Sequence, residues 1–142
     1  MLKLRQAQKI ITAALAIASD EKMNPLAVVV LDARGALKAM AAQDGTSLRR
    51  SEIASGKAQG ALALGIGSRA IAKVAAERPL FITAATHAVG GNLVPVPGGV
   101  LIRDRKGEIV GAVGISGDIS DNDEKAAIAG IEAAGLAADP GA

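Results

Sequence analysis

A chain of 142 residues whose only aromatic side chain is Phe81 has to build its interior from Ala, Val, Leu and Ile. Such side chains fill a core only where backbones approach closely, and each buries little area at about 25 cal/mol per Å². Half of the residues are apolar and 17 are glycine, which suits helices laid tightly on a sheet. Self-association would supply further apolar burial. The length fits a single domain over residues 1–142, and a net charge of +2 marks an ordinary globular chain.

Several functional classes drop out at this stage. Without cysteine there is no disulfide, thiolate nucleophile or cysteine-held metal. The cations (Arg49 and Arg50, Lys73, Arg103 to Lys106) are scattered and have no aromatic residues among them, so nucleic acid is not an expected partner. Lys3, Arg5 and Lys9 before Ile10 to Ala18 imitate a leader peptide. However, Leu4, Ala7, Ile11, Ala14 and Ala18 recur at helical spacing, and the segment reads as an amphipathic helix of a cytoplasmic protein. No apolar run approaches the 18 or so residues of a membrane span.

Two apolar segments, Leu26 to Leu31 and about Ala36 to Ala42, flank Asp32-Ala33-Arg34-Gly35. The runs Val100 to Ile102 and Ile109 to Ile115 flank Asp104-Arg105-Lys106-Gly107 in the same way. An Asp that bonds its own backbone, followed by a Gly free to take positive φ, makes each a hairpin turn, so the four strands form an antiparallel sheet. In the last strand Ile109, Gly111, Val113 and Ile115 alternate with Val110, Ala112, Gly114 and Ser116, and the small-residue face invites close approach of a helix or ligand. Helices are expected over Ser47 to Ile66, with Ala54, Ala58 and Ala61 inward, and over Arg69 to Arg78, ended by Pro79. A last helix opens at Ser120, with Asp123 at capping-box spacing, and Asp139 to Ala142 should fray. The intervening Thr83 to Gly99 reads as a long functional loop.

Candidate chemistry concentrates on that loop and its surroundings. His87 is the only imidazole, so any imidazole ligand or general base must be this one. Gly90-Gly91 and Gly98-Gly99 leave backbone N–H groups unshielded and suggest an anion nest. Lys57 stands in a helix otherwise made of Ala and Gly, where it either reaches solvent or supplies a pocket with positive charge. Together these place a pocket where the His87 to Gly99 loop meets Ser116 and Gly117, with Asp44 and Lys57 at its rim. Gly65-Ile66-Gly67-Ser68-Arg69-Ala70 matches a dinucleotide fingerprint in letters only, because it follows a helix rather than a strand. The acids Asp118, Asp121, Asp123 and Glu124 lack the glycine and terminal glutamate of a calcium loop and read as helix-capping residues.

The ordered set Asp44-Gly45, Ser51 to Ala58, Gly98-Gly99, Gly111 to Gly117, Asp123-Glu124 and Ala129-Gly130 resembles the GlcG/HbpS family, which includes the C-terminal domain of PduO-type proteins. The resemblance runs from the first helix to about Ala134. It implies an α+β fold in α/β/α layers: profilin-like, with a five-stranded antiparallel sheet flanked by helices, the fifth strand coming from Leu80 to Val96. It also implies a homo-oligomer that binds a small molecule such as haem, a corrinoid or a small organic acid. The alternative is an enzyme acting on a small oxidised carboxylic acid, with His87 or Asp44 as acid/base.

Overall fold

The computed structural model describes all 142 residues. In chain order they form α1 (Leu4–Asp20), β1 (Ala27–Asp32), β2 (Leu37–Ala42), α2 (Arg50–Leu64), α3 (Ser68–Glu77), α4 (Pro79–Ala88), β3 (Gly99–Arg103), β4 (Ile109–Ser116), α5 (Ser120–Ala133) and β5 (Ala137–Asp139). The five strands make one antiparallel sheet in the order β2-β1-β4-β3-β5. Helices α1 and α5 cover one face and α2 the other, giving the expected α/β/α layers.

Layering explains why β1 reads as an unbroken apolar run. Val28 and Val30 enter the core under α1 and α5, while Val29 and Leu31 pack against Ala54, Ala58 and Ala61 of α2. Strand alternation thus feeds two cores at once. The inner face of α1 is Ala7, Ile10, Ala14 and Ala18, so Ala7, Ala14 and Ala18 face inward as expected, while Ile10 takes the place of the partly buried Ile11 and Leu4 is half exposed. A bulge shifts the alternation of β4, because Ile102 pairs with Gly111 but Arg103 with Ile109, leaving Val110 as the extra residue. Ile109 consequently turns to the α2 side and Val110 to the α1/α5 side, the reverse of the simple alternation.

Four further expectations change. Pro79 opens α4 as well as closing α3, and Thr83 to Ala88 is helix rather than loop. Thr83 and Thr86 return their hydroxyls to the carbonyls of Pro79 and Ile82, which hides their polarity inside a helix. The fifth strand comes from the C-terminus and not from Leu80 to Val96. After Gly135 (φ 77°) the chain turns back, Ala137–Asp139 pairs with β3, and Arg103 Nε meets Asp139 Oδ2 at 2.9 Å. The backbone of Pro140 then lies against Gly67, where an added Cβ would come within 2.1 Å of it, so the expected frayed tail is held in place. Finally, the capping box at Ser120 and Asp123 does not form. Ile119 is the N-cap of α5, and the Asp123 carboxylate is used elsewhere.

Candidate functional site

Antiparallel register gathers most of the candidate residues at one end of the sheet. Ala27 pairs with both Ala42 and Ser116, and Gly99 pairs with Gly114. The segments bearing Asp44, Gly98, Gly99, Ser116 and Gly117 therefore leave the sheet together, and α2 starts beside them. Lys57 follows two turns into α2 and His87 lies in the last turn of α4.

Lys57 does not stand at a pocket rim. Its side chain is 2% exposed, and its ammonium donates to the Ile115 carbonyl at 2.9 Å and to Asp123 Oδ2 at 3.0 Å. Asp123 Oδ1 accepts the Asp118 N–H at 3.0 Å, so every polar atom of the pair is engaged. Burial pushes the ammonium down and the carboxyl up from their ordinary values, and each opposes that shift in the other by its charge. The pair bolts α2 to α5 and to the end of β4, and this is where the acid read as a helix cap is used.

The glycines are likewise spent on packing. Gly99 N–H donates to the buried Ser68 hydroxyl at 2.7 Å, and a Cβ there would lie 2.3 Å from the Lys57 carbonyl. Gly90 and Gly91 donate to the carbonyls of His87 and Thr86, closing α4. Three of the four expected free N–H groups thus have partners, and no nest forms. Gly117 (φ 149°) lets the chain pass the Pro25 carbonyl, which a Cβ would approach to 2.1 Å. His87 is exposed on the outer face of α4, a turn beyond Ala84 and two beyond Leu80, with no side-chain partner. Between His87 and Lys57 there is no shared cavity.

Asp44 does border open space. It lines a cleft of about 580 Å³ between the end of α1 and the turn after β2, together with Ser19, Lys22, Met23 and Gln43. Gln43 Oε1 accepts the Leu26 N–H at 2.8 Å, which fixes this wall and leaves the amide nitrogen as a donor. Lys22 ends the α1 turn at φ 55°, the only residue other than glycine with positive φ. Sequence reasoning missed Lys22, Ser68 and the Lys57 partner Asp123. A lysine flanked by Ala54, Gly56, Ala58 and Gly60 was a signal for burial, and a buried cation demands an acid. No group of three His, Asp or Glu side chains is placed to hold a metal ion, and no helix is long and apolar enough to cross a membrane.

At the start of α5, the Asn122 side-chain amide is the main influence holding the Asp118 carboxyl below its ordinary 3.8; burial opposes it, and the Asn24 and Ile119 N–H groups assist. A carboxyl lowered on folding stabilises the protein above 3.8, and that contribution is lost as pH falls through the lower folded value. Asp118→Asn should therefore flatten the acid limb of the stability curve, measured as the urea midpoint from about pH 5 to pH 2.

Solved structures share this architecture closely. A PduOC–haem complex aligns at TM-score 0.84 and 25% identity over 95% of this chain and 96% of its own. HbpS aligns at TM-score 0.78 and 28% identity over 92% of this chain and 88% of its own. A double mutant of Streptomyces reticuli HbpS gives 0.79 and 26% over 92% and 85%. No curated protein matches the sequence. The family model described as haem degrading protein HbpS-like matches residues 2–132, all of the fold but the last residue of α5 and the strand β5, and the chain belongs to the HbpS-like family.

Proposed function

We propose that this protein is an oligomeric, small-ligand-binding module for a carboxylate-bearing ligand held in the cleft at the end of α1. The observation that carries this reading is the cleft itself, about 580 Å³ with Lys22, Met23 and Asp44 on its walls. Its volume falls in the usual range for ligand sites. Lys22 offers an ammonium to a carboxylate, and Gln43 and Ser19 offer neutral donors.

Two ligands share that chemistry: haem, through its propionates, and a small hydroxy- or oxo-acid. Were haem to bind here, the Met23 thioether would be the residue of an axial-ligand type and the Lys22 ammonium would pair with a propionate. The HbpS-like family and the PduOC–haem complex support the haem arm. Binding rather than catalysis is favoured because neither His87 nor Asp44 has a side-chain partner to orient it as a general base. Self-association is supported by the apolar surface the fold leaves open, with Leu37 60% and Leu80 83% exposed.

Titration with haem, and separately with glycolate and glyoxylate, decides between the arms. The haem arm expects a shifted Soret band that is weakened about tenfold by Lys22→Ala and displaced by Met23→Ala. Under the acid arm, calorimetry shows binding of the small acid that is lost in Lys22→Ala. Loss of the Soret shift in His87→Ala alone would move the haem to α4, and no binding of any of the three would end the proposal.

A further inference from the structure

One guanidinium at the sheet end has no acid to meet it. Arg50, the first residue of α2, is partly buried; its Nη1 donates to Ser116 Oγ at 3.2 Å and its Nε to Ser47 Oγ at 3.1 Å. Arg5, Arg78 and Arg105 also belong to no ion pair, but they are exposed to solvent; Arg50 is the one arginine that is partly buried without a carboxylate within 4 Å. The nearest acid in sequence, Glu52, is turned to Arg49 and to the Ser51 hydroxyl.

The placement is electrostatically uphill. A cation at the positive end of a helix is disfavoured, and the Arg50 charge reaches Lys57, where it helps to hold the ammonium down. Two neutral hydroxyls fix the plane of the guanidinium without neutralising it. Ser116, 1% exposed, braces one side from the end of β4, and Ser47 braces the other. A guanidinium carries five N–H donors, so three remain, including both on Nη2, and they present the fork that matches the two oxygens of a carboxylate.

We propose that Arg50, held in plane by Ser47 and Ser116, is a carboxylate receptor, a second binding site distinct from the cleft at the end of α1. The charge it presents lacks any counter-ion from the chain, and a bound carboxylate supplies it. Arg50 is the contact residue; the serines are positioning residues. Lysine is no substitute, because a point charge cannot reproduce the two-pronged geometry.

The test follows the Nε–H resonance of Arg50 while acetate, and in a second series inorganic phosphate, is added to the protein. Acetate should shift that resonance saturably, with affinity reduced about tenfold in Arg50→Lys and lost in Arg50→Gln when read by calorimetry. Ser116→Ala should weaken acetate and broaden the Arg50 signal, and Lys22→Ala should leave this titration unchanged even where it abolishes ligand binding in the cleft. Ser47→Ala, at an exposed position, provides the same reading should the Arg50 variants fail to fold. The proposal falls if acetate produces no saturable shift up to about 50 mM, if Arg50→Gln binds acetate as the parent does, or if phosphate binds about ten times more tightly than acetate.

Discussion

Gly114→Val is expected to lower the unfolding free energy by more than about 3 kcal/mol, beyond the common range for overpacking, and to leave little folded protein at 37 °C. A Cβ on Gly114 would sit 1.8 Å from the Ala54 carbonyl oxygen and 3.1 Å from the Ala58 Cβ. Both sides of that contact are backbone-bound and cannot yield. Gly114 is in the central strand, paired with Val29 on one side and Gly99 on the other, while Ala54 lies in the α2 helix. Relief would require α2 to retreat from the sheet, opening gaps beneath Ala54, Ala58 and Ala61. Alanine should thus cause most of the loss that valine does. Gly65→Ala is the control: it has φ 72° and nothing within 4 Å, so it should cost only about 1 kcal/mol, the price of the strained backbone. Urea midpoints of the three variants check this, and an unchanged midpoint in Gly114→Ala would show that α2 does not lie where the structure puts it.

That contact also shows what was legible in the sequence. The small-residue face of β4 and the Ala stripe of α2 were readable because a core almost without aromatics leaves close helix–sheet packing as the remaining way to bury area. Both hairpins were readable because their chemistry is local. Asp32 Oδ1 accepts the N–H groups of Arg34 and Ala36, Asp104 Oδ1 accepts those of Lys106 and Glu108, and Gly35 and Gly107 take φ of 81° and 80°. What was not readable depended on partners distant in sequence. Ala137, Ala138 and Asp139 have no strand propensity of their own, and they become β5 only because β3 offers an open edge and Arg103 a counter-ion. α4 buries only Ile82, so it shows no apolar stripe to read. The candidate site failed in the same way: free N–H groups were counted residue by residue, but Ser68, 31 positions away, had already engaged that of Gly99.

Lys57→Met is expected to cost about 3–5 kcal/mol, because it leaves the Asp123 carboxylate buried, 1% exposed, with no cation beside it. The same loss should follow from Asp123→Leu, which strands the ammonium instead, whereas Lys57→Met with Asp123→Leu should recover most of it, since an apolar pair of similar volume needs no desolvation of charge. Such a cycle separates the cost of an orphaned charge from the worth of the pair. The pH dependence gives an independent reading. Burial already raises the Asp123 carboxyl above 3.8 against the pull of Lys57, and without the ammonium that pull is gone, so the carboxyl rises further. A carboxyl raised on folding adds stability below its unfolded value and loses it as pH climbs through the folded one. The penalty of Lys57→Met should therefore be smaller at about pH 4 than at pH 7, where the folded state must bury an ionised group. If the penalty proves the same at both pH values and the double variant recovers nothing, the loss comes from the fit of the lysine side chain past Gly98, where its Cδ and Nζ lie, and not from charge, and the bolt between α2 and α5 is steric.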